Sequence, residues 1–252
     1  MAKKSNNGPQ NEAWTINGFS FSGGNASDQL TVTGNGNSLF GENGTDTLSA
    51  TGKNNNLDGG NGADVLSSSE GDQPYSWTET NNKLNGGRGD DIFYSSGKYA
   101  TDVSGIAADM TGGQGMDTFV LRQSTDTLIH NAAGDSYVEE GHIIEGVFDL
   151  IQDYEAGELI DIGTTQRQTD PIAIFPTGGP DHQHLILQDD SYAFVHGTLT
   201  ASGQFTVDDE GSDLLIVSDY DPAGEFWHDY GGAVVLVGVT DETTVNIGSV
   251  PV

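Results

Sequence analysis

Five short segments end a glycine-rich turn with an aspartate: Gly23-Gly24-Asn25-Ala26-Ser27-Asp28, Gly41-Glu42-Asn43-Gly44-Thr45-Asp46, Gly59-Gly60-Asn61-Gly62-Ala63-Asp64, Gly86-Gly87-Arg88-Gly89-Asp90-Asp91 and Gly112-Gly113-Gln114-Gly115-Met116-Asp117. Two places after each aspartate stands a large apolar residue: Leu30, Leu48, Leu66, Phe93 or Phe119. Glycine at the first, second and fourth places lets the backbone take positive φ and turn several carbonyls toward one point. The aspartate adds a carboxylate. An all-oxygen donor set of this kind suits a hard cation, and Ca²⁺ takes about six to eight oxygens at about 2.3–2.6 Å from sites that need no rigid cage.

The spacing says how such turns are positioned. Asp28 to Asp46 and Asp46 to Asp64 are 18 residues each, which is two nine-residue half-turns and so one coil of a solenoid. The intervening half-turns, Thr33-Gly34-Asn35-Gly36-Asn37-Ser38-Leu39 and Thr51-Gly52-Lys53-Asn54-Asn55-Asn56-Leu57, keep turn-forming Gly and Asn but lack the aspartate. Cations are therefore expected along one edge of the solenoid and not along the other. The apolar residue after each aspartate points inward by strand alternation and fills the core between two sheets. The later steps are longer, 27 residues from Asp64 to Asp91 and 26 from Asp91 to Asp117. Either loops at roughly 68–80 and 95–105 are inserted in the cation-free edge, or one and a half coils place Asp91 on the opposite edge. The lead-in Asn82-Lys83-Leu84, which repeats Asn55-Asn56-Leu57, favours the loops.

Composition fits a chain that needs a counter-ion. Thirty-eight Asp and Glu face eight Lys and Arg, a net charge of −30, and no Lys or Arg follows Arg167. Such a chain repels nucleic acid and anionic membrane surfaces. With 34% hydrophobic residues and 36 glycines, it lies near the border of intrinsic disorder until that charge is neutralised. The absence of cysteine removes disulfides, thiolate metal sites and cysteine nucleophiles. No segment reaches the roughly 18 apolar residues of a membrane span. The opening Met1 to Asn7 has two lysines but no apolar run behind them, so export is expected by a route that does not read a Sec-type leader.

The repeated phrase resembles the nonapeptide repeat of the repeats-in-toxin (RTX) family, whose parallel β-roll binds Ca²⁺ between successive turns on one edge. That resemblance implies sites between Asp28 and Asp46, Asp46 and Asp64, Asp64 and Asp91, and Asp91 and Asp117. The further ligands it implies are at Gly23, Asn25, Gly41, Asn43, Gly59, Asn61, Gly62, Gly86, Arg88, Gly89, Gly112, Gln114 and Gly115. Ala26 and Glu42 depart from the glycine pattern, which weakens the first site. The segment from Asp149 to Ile162 resembles the closing segment of serralysin-like proteases. Its apolar residues can cap the roll, and Asp149, Asp153 and Asp161 can hold one more cation. Asp209 to Ile216 together with Val234 to Thr240 resembles the C-termini of type I secretion substrates, which implies an uncleaved C-terminal signal read by a type I secretion apparatus.

Other clusters carry weaker chemistry. His182 and His184 would face one side of an extended segment and could bind a transition metal, but a polar turn after Pro180 is the plainer account. Asp219 to Glu225 spaces carboxylates like the start of a Ca²⁺ loop without the rest of it. Tyr75 with Trp77, and Phe226-Trp227-His228, are aromatic clusters that either stack on sugars or partners or pack onto the solenoid. Signatures of zinc peptidases, serine-hydrolase elbows and phosphate-binding loops are missing.

The expected fold is all-β: a parallel β-roll, a calcium-binding β-solenoid, followed by a capping segment and a C-terminal β-rich region. The divisions are a lead-in at 1–20, the roll at 21–121, a connecting and capping segment at 122–163, and a β-rich domain with the secretion signal at 164–252. Within that domain the apolar runs 184–187, 192–195, 214–217 and 233–237 read as strands. The expected function is that of a secreted, extracellular or cell-surface bacterial protein that folds on binding several Ca²⁺ ions, in a surface-layer, matrix or adhesion role. Self-assembly or cell-surface polysaccharide would be its partner. The alternative is a carbohydrate-binding module or polysaccharide-acting enzyme with its site in 164–252.

Overall fold

Segments such as Gln29-Leu30-Thr31-Val32-Thr33 bury Leu30 and Val32 and leave the residues between them on the outer face. This is the period-two pattern of a strand with one buried side. In the computed structural model, which describes residues 2–4, 8–69, 81–98, 105–124, 128–130, 132, 135–176, 183–188, 190–201, 203–219 and 231–250, these strands stack as two facing parallel sheets.

One strand from each sheet makes a coil, and eight coils follow one another. The larger sheet stacks Ala2–Lys4, Ser20–Gly24, Ser38–Asn43, Asn56–Asn61, Asn82–Arg88, Gly105–Gln114, Val147–Ile151 and Gly231–Leu236. The smaller, eight-stranded sheet stacks Asn11–Thr15, Gln29–Thr33, Thr47–Thr51, Val65–Ser69, Ile92–Lys98, Thr118–Ser124, Leu159–Asp161 and Asn246–Ile247. Parallel pairing keeps like residues in line: Leu30, Leu48, Leu66, Phe93, Phe119 and Ile160 form one inner column. Phe21, Leu39, Leu57, Leu84, Met110 and Ile151 form the column facing it. All twelve are at most 1% exposed, and each large side chain so buried stabilises the fold by about 1.5–3 kcal/mol.

The roll thus reaches beyond 21–121 in both directions. The lead-in contributes the first coil, whose strands pair in register with the second. The segment 149–162, expected as a cap, forms most of the seventh coil instead, and residues 231–247 form an eighth. The ends are closed by other means. At the first coil Trp14 packs against Phe19 and Phe21, with ring centroids 5.2 and 4.7 Å away. At the far end the larger sheet continues as antiparallel strands, Asp213–Asp219 on Gly231–Leu236 and Ser191–Leu199 on Asp213–Asp219. These strands are covered on both faces. Ile151, Leu214, Ile216, Val234 and Leu236 join the roll core, while Phe148, Leu150, Leu215, Val217 and Val235 build a second core with Ile144, Ile174, Val195 and Phe205.

Turns from the larger to the smaller sheet form one edge of the roll, here the aspartate edge; the return turns form the asparagine edge. Every long connection, 70–81, 99–104, 125–146 and 162–230, leaves the smaller sheet and re-enters the larger one. All four therefore begin and end on the asparagine edge, and Asp91 stays in line with the other aspartates. Residues 70–80 and 99–104 of the two expected loops, His182, Tyr75 with Trp77, Tyr220 to Glu225 and Phe226 to His228 lie outside the described residues. No helix among the described residues is long and apolar enough to cross a membrane.

Candidate cation row on the aspartate edge

Each repeat turn is shaped by two kinds of glycine. The second-place residues Gly60, Gly87 and Gly113 have φ of 102°, 104° and 103°, a region that favours glycine. Glu42 adopts φ 76° at the same place in its turn and is held by a hydrogen bond from the Ser22 hydroxyl. First-place glycines have a different reason. A Cβ on Gly41 would come within 3.0 Å of both the Asp46 Oδ2 and the Gly59 carbonyl oxygen of the next coil. Gly59 stands in the same relation to Asp64 and Gly86, and Gly86 to Asp91 and Gly112. A side chain there would fill the hollow onto which carboxylate and carbonyl converge. At Gly23 and Gly112 the hollow is approached by Asp28 and Asp117 Oδ2 respectively.

The aspartates lock the coils together through one oxygen and leave the other. Oδ1 of Asp46, Asp64 and Asp91 accepts the backbone N–H of Asp28, Asp46 and Asp64, each at 2.7 Å. Asp117 accepts that of Asp91 at 2.8 Å, and Asp28 that of Gln10 at 2.5 Å. All five are at most 3% exposed, and Oδ2 of each is buried without a hydrogen-bond donor. An ionised oxygen so placed is costly unless a cation or a proton meets it. Burial, partly offset by the Asp28 N–H and reinforced by the Asp64 and Asp28 charges, lifts the Asp46 carboxyl to about 6. Burial acts likewise on Asp91, with Asp64, Asp117 and Asp90 nearby, and lifts it to about 7. Asp28, Asp64 and Asp117 are raised as well, with burial the leading cause.

The asparagine edge supplies the control. Asn37, Asn55 and Asn82 occupy the matching turn position there and accept the N–H of Phe19, Asn37 and Asn55, each at 2.9 Å. Their second side-chain atom is a donor. Nδ2 of these three reaches the carbonyls of Ile16, Gly34 and Gly52 at 2.9–3.0 Å. Those three side chains are satisfied by protein atoms alone.

The other expected ligands fall into place around the row. Carbonyls of Asn61, Arg88 and Gln114 accept the N–H of Gly44, Gly62 and Gly89 from the preceding coil. The Asn25, Asn43 and Asn61 side chains form an outer ladder, Nδ2 to Oδ1 at 2.9 and 3.0 Å. Fourth-place Gly62, Gly89 and Gly115 pack onto the carbonyls of Gly44, Gly62 and Gly89, leaving no room for a Cβ. Asp149, Asp153 and Asp161 do not come together. Asp149 is buried inside the roll and accepts from the Ser95 hydroxyl at 2.8 Å. Asp153 accepts the N–H of Gly112 and Gly113. Asp161 lies on the other sheet. Burial there works against ionisation, but the bond from Arg122 at 2.8 Å and the N–H groups of Val250 and Gly163 outweigh it and hold the carboxyl below its usual range. A single cation held by those three is excluded by their placement.

One member of the row was not anticipated. The pairing of Thr118 with Leu159 and of Phe119 with Ile160 sets Glu158 beside Asp117, and Glu158 is 2% exposed. Its signal in the sequence is the large apolar residue two places on, Ile160, but glutamate for aspartate and the loss of the glycine doublet hide it. Burial, with the Asp117 and Asp153 charges close by, raises the Glu158 carboxyl to about 7.

Orphaned carboxylate oxygens facing carbonyls across cradles that only glycine leaves open fit a hard divalent cation. Among the described residues no three acidic or histidine side chains converge on one point, so main-chain carbonyls must supply much of the donor set. The family model of the RTX calcium-binding nonapeptide repeat, in four copies, matches residues 22–52, 40–72 and 78–97, which cover the second to fifth coils. No curated protein matches the chain. The sixth coil continues the same geometry; the chain carries RTX calcium-binding nonapeptide repeats, and its described residues are all-β and wound as a parallel roll.

Proposed function

We propose that this chain is a secreted extracellular protein whose roll is assembled by Ca²⁺ and whose role is structural, in a surface layer, matrix or adhesive contact, without catalysis. The carrying observation is the row of five buried Oδ2 atoms without donors. Ca²⁺ supplies positive charge to oxygens that the protein leaves unmet. The chain's own residues do the rest. Asp28, Asp46, Asp64, Asp91 and Asp117 tie successive coils through Oδ1, and Gly41, Gly59 and Gly86 keep the hollows open.

Extracellular modules bind Ca²⁺ at roughly 10⁻⁴–10⁻³ M, far above cytosolic levels. The roll would then remain unfolded inside the cell and fold after export, because ion binding and folding share one free energy. Export through a type I secretion apparatus is supported by the resemblance of 209–216 and 234–240 to C-termini of such substrates. Calorimetric titration of the chelated protein with Ca²⁺ tests the reading. Several ions bound with concomitant folding are expected, and absence of binding at millimolar Ca²⁺ would refute it.

A further inference from the structure

The turn from Asp153 to Glu158 has the same length as the repeat turn from Gly112 to Asp117, since Met110 pairs with Ile151 at its start and Thr118 with Leu159 at its end. The backbone ladder also continues. Leu159 N–H meets the Asp117 carbonyl as Thr118 N–H meets that of Asp91. Glu158 thus takes the aspartate position of a seventh turn that has lost its glycines. Its carboxyl is buried and lies within hydrogen-bonding reach of that of Asp117, whose Oδ2 meets no other donor. Glu155 N–H satisfies one Glu158 oxygen at 2.8 Å. Two carboxylates in dry contact need either a shared proton or a cation between them, and Ca²⁺ supplies the second where both are ionised.

We propose that the cation row runs one coil past the last repeat, into a Ca²⁺ site held by Asp117 and Glu158 between the sixth and seventh coils. It rests on the reading of the row as a Ca²⁺ row and extends it to a turn without the repeat phrase. In the inner hollows the next coil contributes a glycine carbonyl. Here Asp153 stands at that glycine's place with its carboxylate engaged by Gly112 and Gly113 N–H, and the longer Glu158 side chain brings a second carboxylate. The row ends there, because the residue before Asn246, which pairs with Leu159, is Val245.

The test is an ion count by native mass spectrometry on the full chain at saturating Ca²⁺. Glu158→Gln should bind one ion fewer than the parent, and Glu155→Gln, an exposed acid of the same turn, should bind the same number. The glutamine amide introduced by Glu158→Gln can donate to Asp117, so the fold should persist, as circular dichroism will verify. Should it not, Glu158→Leu places in the seventh coil the kind of residue the eighth already carries in Val245, and it too should lose one ion. An unchanged count in a folded variant overturns the site. Asp64→Asn separates the two readings. If it lowers the count while Glu158→Gln does not, only this site fails; if the parent binds no Ca²⁺, the whole row fails.

Discussion

Asn55 donates its side-chain amide to the Gly34 carbonyl at 3.0 Å, whereas Asp64, at the mirror position of the same coil, presents to its own surroundings an Oδ2 that meets no donor. Both residues accept a backbone N–H from the preceding coil through Oδ1. At this position the two edges differ in one atom of one side chain. That atom decides whether the edge closes on protein groups or waits for a cation.

Asp64→Asn should therefore keep the Oδ1 ladder, lower the number of bound Ca²⁺ ions and raise the stability of the chelated protein by about 1–3 kcal/mol, the usual cost of a buried unmet polar group. Asp64→Ala should lose the ion and also orphan the Asp46 N–H, so it should be destabilised with and without Ca²⁺. Thermal unfolding in chelator at pH 5, where protonation favours the roll, and calorimetric stoichiometry in Ca²⁺ distinguish the pair. Asp190→Ala, outside the row, should leave the number of bound ions unchanged.

Without Ca²⁺, stability should increase on mild acidification. In the folded chain Asp46 and Asp91 hold protons up to about 6 and about 7, while unfolded aspartate releases them near 4. Between those limits the folded state binds more protons, so stability rises as pH falls from above 7 toward 4 and is lost as pH climbs through the folded values. The β-structure present in chelator, read by far-UV circular dichroism, should increase in that sense from pH 8 to pH 5. In Ca²⁺ the dependence should flatten or reverse, because protons compete with the ion. No gain of β-structure in chelator between pH 8 and pH 5 would show that the aspartates are solvated rather than buried.

The inner columns predict where the core is least forgiving. Phe93 stacks on Phe119 with centroids 4.9 Å apart, and neither is exposed. Phe93→Ala should cost about 3–5 kcal/mol, read from urea unfolding in saturating Ca²⁺. Ile16→Ala, at a residue 43% exposed, should cost less than about 1 kcal/mol.

The repeat half of this architecture was legible because the phrase fixes turn, edge and inward residue together. The 18-residue steps gave the coil, and Asn82-Lys83-Leu84 correctly kept Asp91 in line with the other aspartates. The last two coils were not legible, since coil seven follows coil six through 22 residues, 125–146, and its turn has exchanged glycine for Asp153 and aspartate for Glu158. Asp149, Asp153 and Asp161 looked like a cluster because they are close in sequence. A strand and a turn carry them to the roll interior, the aspartate edge and the opposite sheet. Spacing alone does not reveal that Arg122 claims Asp161.

Tolerance to insertion should differ between the edges. Adding Gly-Ser-Gly between Lys53 and Asn54, on the edge where all four long connections begin and end, should leave Ca²⁺ binding intact. The same residues between Asn61 and Gly62 should break the Gly44 N–H to Asn61 and Gly62 N–H to Arg88 ladder bonds and separate Asp64 from its partners. The ion count should then fall. Equal counts for the two insertions would mean that the row does not depend on coil register.

Charge, folding and export meet in the last expectation. Thirty-eight acids against eight bases leave a net charge of −30, and the aspartate edge packs five of those acids in line, one per coil, at no more than 3% exposure. Hydrophobic columns only one or two residues wide per strand offset chain entropy narrowly. The repeat region should therefore be unfolded in chelator at pH 8. Far-UV circular dichroism during a Ca²⁺ titration should show a cooperative change from coil to β. Mg²⁺ should substitute poorly, because it holds a smaller octahedral shell and dehydrates reluctantly. A repeat region fully β-structured in excess chelator at that pH would end the idea of a folding switch, since the orphaned oxygens would then be tolerated by the protein alone.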